Sequence, residues 1–232
     1  FLQLISDERV RQILTLMGRS GGERLTAPLA REVCERTGSA ATVSGSIGSL
    51  GSQYILGLHA TNCVTGDVLD DEQAQVARKE DLLNAISQMA RRFRKRAGES
   101  RAMLEAHSKP LSDATTPSLE ALKAFSAGWT VLQSSGQGAA LPMFRRATEI
   151  DPQFATAFAW LGRTYTALGE DTLAADATRR AWELRNRASD QERFYIDFSY
   201  YRFVVGDLPK ALETCELWAQ AYPRDPRAHG FM

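Results

Sequence analysis

The sequence predicts an α+β domain followed by an all-α array of stacked helical hairpins. Three observations carry this reading. Helix and strand periods alternate up to about residue 107, a 34-residue repeat runs through the second half, and a polar stretch with two prolines lies between them. The expected domains are an α+β domain over 1–107, a linker over 108–117 and a helical array over 118–232. The 232 residues suffice for two modest cores. A balance of 44% hydrophobic and 24% charged residues argues against wholesale disorder. The 28 basic and 28 acidic residues cancel, so the chain as a whole offers no electrostatic footprint for nucleic acid or an anionic membrane.

In the first domain, residues 1–5 are a short apolar run read as a strand, and Ser6-Asp7-Glu8 opens a helix. Val10, Ile13, Leu14 and Met17 then recur at helical spacing. Gly18, Gly21 and Gly22 make a loop. Thr26 caps a second helix with Leu29, Val33 and Cys34 on its inner face, and Gly38 ends it. Extended segments follow at 40–50, 53–63 and 67–77, with turns at Leu50-Gly51-Ser52 and Val64-Thr65-Gly66-Asp67. A last helix over 79–99 places Leu82, Leu83, Ile86, Met89, Ala90 and Phe93 on one stripe. The order β-α-α-β-β-β-α implies a small sheet with helices on one face. That order is similar to the amino-terminal domain of TolB-like proteins, a likeness of topology alone.

In the second half, Gly128, Gly162 and Ser199 fall at one repeat position. Units then run over 121–154, 155–188 and 192–225, with residues 189–191 inserted and a fourth unit opening at Pro226. Small residues recur where two helices of a hairpin approach: Ala140, Ala174 and Ala211 at one position, Ala147 and Ala181 at another. Asp151-Pro152 and Asp225-Pro226 sit between units, where proline's missing N–H is not needed. In the second unit Phe158, Leu161-Gly162 and Tyr165 share a helical face, and Ala174, Thr178 and Ala181 follow on the next helix. This pattern resembles the tetratricopeptide repeat. It departs from the usual motif at Thr178, where an aromatic is expected, at Trp218, where alanine is, and at Arg202, which stands where Tyr165 does.

The resemblance implies a curved array whose concave face, formed by the first helices, holds a protein or peptide. Candidate contacts lie between the core positions of those helices: Thr156, Ala159, Arg163 and Thr166 in the second unit, and Tyr195, Ser199 and Arg202 in the third. The tryptophans Trp129, Trp160, Trp182 and Trp218 are read as packing.

No pattern of residues announces catalysis, a cofactor or a metal. Gly45-x-x-Gly48-x-x-Gly51 has the wrong spacing for a phosphate loop and lies between strands. His59, His107 and His229 are isolated, and Asp70-Asp71-Glu72 reads as a solvated strand edge. The run Arg91-Arg92-Phe93-Arg94-Lys95-Arg96 ends a helix, where cations complement the dipole, in preference to a nucleic-acid or lipid patch. Cys34, on an inner helix face, and Cys63, near the end of a neighbouring strand, are candidates for a disulfide; two buried thiols are the alternative. Cys215 is a small apolar filler.

The segments 29–34 (Leu-Ala-Arg-Glu-Val-Cys), 45–54 (Gly-Ser-Ile-Gly-Ser-Leu-Gly-Ser-Gln-Tyr) and 115–122 (Thr-Thr-Pro-Ser-Leu-Glu-Ala-Leu) resemble a bacterial family. Its members are membrane-anchored serine/threonine protein kinases, common in acidobacteria, with a tetratricopeptide region beyond the membrane helix. The glycine-rich loop, strand lysine and catalytic aspartates of a kinase are missing here. The resemblance therefore implies a non-catalytic, extracytoplasmic binding or sensing segment with a protein or peptide partner. Its only link to a membrane would be an anchor elsewhere in the parent chain, and opening on Phe1 fits a segment of a longer protein. The alternatives are a small-molecule sensor in the first domain with the array as transmitter or homo-oligomerisation scaffold, and a cytoplasmic adaptor.

Overall fold

The computed structural model describes residues 4–106, 110–223 and 225–231. The chain divides into two compact units, Phe1–Ser108 and Lys109–Met232. Among the described residues no helix is long and apolar enough to cross a membrane.

The first unit is a helical pair, a hairpin sheet and a covering helix. Ser6 caps α1 (Asp7–Leu16) by accepting from the Arg9 N–H at 3.3 Å. Pro28 lies in the first turn of α2 (Ala27–Thr37), and Gly38 closes it in the left-handed region at φ 66°. Ile13 and Leu14 pack against Leu29 and Val33 to join the two helices. The strands β1 (Ala41–Leu50), β2 (Gln53–Asn62) and β3 (Val68–Val76) form one antiparallel sheet in the order β1-β2-β3. The β1–β2 turn is Gly51-Ser52 between the paired residues Leu50 and Gln53, with Gly51 at φ 60°. The glycines of that region thus serve a hairpin.

Helix α3 (Leu82–Arg96) packs on β2 and β3, burying Leu82, Leu83 and Met89. It is shorter than the expected 79–99: Lys79–Asp81 is a 3₁₀ turn, and Gly98, at φ 89°, breaks the chain before a short helix, α4 (Arg101–Ala106). The strand expected over 1–5 is not borne out where it can be seen. Residues 1–3 lie outside the described residues, and Leu4 and Ile5 are in no strand. An apolar run becomes a strand only when a neighbour completes its ladder, and among the described residues β1 pairs with β2 alone. The described order is α-α-β-β-β-α-α.

Cys34 and Cys63 are joined by a disulfide with Cα atoms 6.0 Å apart, closing a separation of 29 residues. Beside it, Arg31 donates to the carbonyls of Cys63 (2.8 Å) and Val64 (2.6 Å). The bridge and the guanidinium together fix the β2–β3 turn to α2.

Among the described residues of the second unit every regular element is a helix. Within the expected linker, α5 (Leu111–Ala114) is one turn, and residues 107–109 lie outside the described residues. Thr116 is fully buried and donates to the Asp151 carboxylate at 2.5 Å, so this end of the linker is anchored rather than solvated. Helix α6 (Leu119–Ile150) is two arms broken at Gly136, whose φ of 82° and ψ of −175° only glycine adopts readily. Its arms form the first hairpin; α7 (Ala155–Ala167) with α8 (Asp171–Glu183), and α9 (Asp190–Tyr200) with α10 (Leu208–Ala221), form the next two. A short α11 (Pro226–Gly230) follows. The expected start of a fourth unit falls there, although Met232 lies outside the described residues.

Close approach explains the small residues. A Cβ on Gly162 would meet Thr178 Oγ1 and come within 3.2 Å of the Ala174 carbonyl oxygen, and one on Gly128 would lie 2.8 Å from the Phe144 ring. Phe144, Thr178 and Cys215 each sit 16 residues after Gly128, Gly162 and Ser199, and all three are buried. Rings link the hairpins: Trp129 meets Trp160 edge-on at 4.4 Å, Trp160 stacks on Tyr195 at 5.3 Å, and Tyr195 reaches Phe231 at 5.8 Å.

Candidate functional site

In a hairpin array the first helices pack against their own second helices and against each other. What they leave open lies toward their ends, and α7, α9 and α11 bring such residues together. Arg163 comes from the third turn of α7, and Tyr195 and Phe198 from α9. Arg202 and Phe203 come from the five-residue π turn that follows, Tyr201–Val205; Gly230 and Phe231 come from the end of α11. These residues line a cleft of about 230 Å³.

The π turn positions half of this site. It winds wider than an α-helix, and Gly206, at φ 77°, ends it while the Asp207 N–H donates to the Tyr201 carbonyl at 2.9 Å. Tyr165, at the equivalent repeat position to Arg202, packs against the core. Arg202 is instead turned outward and exposed. No local sequence feature announces a π turn, so nothing in the sequence marks Phe203 as a cleft residue.

Both guanidiniums rest on rings. Arg163 lies 5.6 Å from the Trp160 centroid and 5.7 Å from that of Phe231, and Arg202 lies 5.8 Å from Phe198 and 5.4 Å from Phe203. Ring contacts hold a cation through its face and leave its in-plane N–H donors directed away from the rings, and Arg163 also hydrogen-bonds Tyr195. Neither arginine has a carboxylate partner among the described residues, unlike Arg185 with Asp197 or Arg227 with Asp225. Tyr195 is buried between Trp160 and Phe231. Burial pushes its phenol above the ordinary tyrosine value, although the neighbouring Arg163 pulls the other way.

Of the seven expected contact residues, Arg163, Tyr195 and Arg202 line the cleft. Thr156, Ala159 and Ser199 are corrections: they are 5%, 1% and 4% exposed and belong to the core. Each lies on the side of its helix that packs within the array, which a single-helix reading takes for open surface. Ser199 spends its hydroxyl on the Tyr195 carbonyl (2.8 Å), and the Thr156 hydroxyl is buried without a hydrogen-bond partner among the described residues. Thr166 is half-buried and donates to the Gly162 carbonyl at 3.1 Å. Phe198 and Phe231 are not legible as cleft residues in the sequence, because aromatic spacing in a repeat reads as core.

The charged runs of the first unit meet each other. Arg96 binds the Asp70 carboxylate at 2.7 Å and also Glu72, and Arg92 binds Glu72. The end of α3 thus clamps β3, and the readings of a solvated acidic edge and a purely dipolar basic helix end are replaced by this clamp. Burial would raise the Glu72 carboxyl, but the hydrogen bonds from Arg96 and Arg92 outweigh it and hold the group below its usual value. His59 faces Asp71 across the sheet at 3.9 Å, His229 contacts the Pro223 carbonyl at 3.1 Å, and His107 lies outside the described residues. No group of three or more metal-ligating side chains occurs among the described residues. Neither a family model nor a curated protein matches the chain.

Proposed function

We propose that this chain is the non-catalytic protein- or peptide-binding segment of a larger bacterial signalling protein. Its helical unit is of the tetratricopeptide type and binds through the side formed by the first helices. The observation that carries this is the cleft of Arg163, Tyr195, Phe198 and Arg202, whose two guanidiniums have no carboxylate partner among the described residues and lie beside an apolar floor. The repeat itself finds support in two hydrogen bonds that span one unit. Thr116 donates to Asp151, 35 residues on, and Gln191 donates to Asp225, 34 residues on. The parent is a membrane-anchored serine/threonine kinase, a reading that rests on the three resembling segments. The Cys34–Cys63 bridge supports a place outside the cytoplasm, where disulfides persist.

Selection of displayed random peptides on the immobilised chain tests the binding reading. Peptides enriched on the wild type should lose at least about tenfold in affinity to the double variant Arg163→Glu/Arg202→Glu, since each removed charge-assisted bond is worth about 1.5–3 kcal/mol. Failure to enrich any peptide, or enrichment indifferent to this pair, would overturn it.

A further inference from the structure

We infer that this chain forms a two-fold dimer in which the outer edge of β1 pairs antiparallel with β1 of a second copy, centred on Gly45. In an antiparallel ladder alternate residues turn their N–H and C=O toward the partner strand, and those between turn them away. The Ala40 carbonyl accepts the Cys63 N–H at 3.2 Å, and the register runs without a break from Ala41 opposite Asn62 to Leu50 opposite Gln53. Thr42, Ser44, Ser46, Gly48 and Leu50 therefore bond to β2, while Ala41, Val43, Gly45, Ile47 and Ser49 present their backbone groups outward. Among the described residues no strand meets them. Such a row of donors and acceptors is a template for another strand.

Charge and shape select a copy of the same strand. Residues 37–66 hold no Asp, Glu, Lys or Arg, so β1 meets itself without like-charge repulsion. The opposite edge strand, β3, carries Asp70, Asp71 and Glu72, which guard it against the same pairing. Val43 and Ile47 lie opposite Ala60 and Leu56, on the face that α3 covers over β2 and β3, yet they are 46% and 60% exposed. A two-fold axis through Gly45 sets Val43 of each copy opposite Ile47 of the other, and Ala41 opposite Ser49. The exposed β-branched side chains of both copies then pair on one face, and Gly45 puts no side chain on the axis. The contact uses the same patch twice and closes at two copies, joining the two three-stranded sheets into one.

Sedimentation velocity of the whole chain from about 1 to about 100 µM is the test, a range that spans the affinities of small interfaces. A monomer–dimer equilibrium is expected, with nothing larger. Val43→Lys/Ile47→Lys sets lysine against lysine across the axis and should weaken the dimer at least about tenfold. Val43→Glu/Ile47→Lys sets glutamate against lysine in this register alone, and at low salt should restore association to within about threefold of wild type. Both positions are exposed, and thermal melts by circular dichroism check that each variant is folded. A wild type that stays monomeric at every concentration overturns the inference; slow hydrogen exchange at the outward amides would then assign the edge to another segment of the same chain. A dimer indifferent to the two lysines overturns it in favour of another surface. Loss with the two lysines that glutamate at 43 does not repair overturns the register centred on Gly45. None of these outcomes bears on the peptide-binding reading.

Discussion

Asp225 shows how much one carboxylate can organise. Its oxygens accept from the Arg227 N–H and guanidinium, from the Gln191 amide, and from the Trp218 indole at 3.0 Å. Burial favours the neutral acid, but the hydrogen bonds from Arg227 and Gln191 win, and the carboxyl titrates below the ordinary aspartate range. A carboxyl depressed in the folded state adds stability that is complete above the unfolded value, about pH 4, and is lost as pH falls through the lower folded value. Asp225→Asn should therefore remove part of the acid dependence of unfolding below about pH 4. At neutral pH it should cost about 1–2 kcal/mol by removing the charge-assisted bonds to Arg227, which is partly exposed. Urea titrations followed by circular dichroism at pH 7 and pH 3.5 check both; equal losses at the two pH values would refute the assignment. Asp197 shows the opposite balance. Burial raises its carboxyl against the pull of Arg185 and Arg193, and the 3.5 Å contact with Arg185 lacks hydrogen-bond geometry.

Among elements, the α7–α8 hairpin is set by what its glycine omits. Gly162→Ala would put a methyl against Thr178 Oγ1 and 3.2 Å from the Ala174 carbonyl oxygen. Thr178 can turn away, but the backbone oxygen cannot. The substitution should destabilise by about 1–3 kcal/mol despite alanine's better helix propensity, and pairing it with Thr178→Ala should recover part of the loss. The chevron or urea midpoint of each variant decides; a stabilised Gly162→Ala would show that the hairpin is looser than the structure indicates. Such elements were legible because periodicity and small residues state them directly: Leu29, Val33 and Cys34 face inward as spaced, and Ala140, Ala174 and Ala211 lie at helix contacts. The cleft was half legible. Arg163 and Arg202 stand out as charges between core positions. The π turn and the burial of Thr156, Ala159 and Ser199 depend on neighbouring helices, which no single helix's pattern encodes. The salt clamp of Arg92 and Arg96 on Asp70 and Glu72 joins residues 20 to 26 apart and needs the sheet to bring them together.

At the scale of the molecule, the two units are held together internally by different means. The first relies on small apolar clusters and one covalent cross-link; the second on continuous ring and alanine packing. Opening the Cys34–Cys63 bridge with dithiothreitol should cost the first unit about 3.5 kcal/mol, on the chain-entropy account for a loop of this length. The urea midpoint of its sheet signal should fall by an amount matching Cys34→Ala/Cys63→Ala. An unchanged midpoint would mean that Arg31 and the packing of α2 suffice without the bond.

The ring ladder has an optical consequence. All four tryptophans, Trp129, Trp160, Trp182 and Trp218, belong to the second unit, so indole fluorescence excited at long wavelength is blind to the first. Trp160 is the informative emitter. It touches Trp129 and Tyr195, and the Arg163 charge hangs over its face. Any ligand whose entry shifted that charge would alter the field across the excited indole, so the protein carries its own lamp beside the cleft, and occupancy would be watched without a dye.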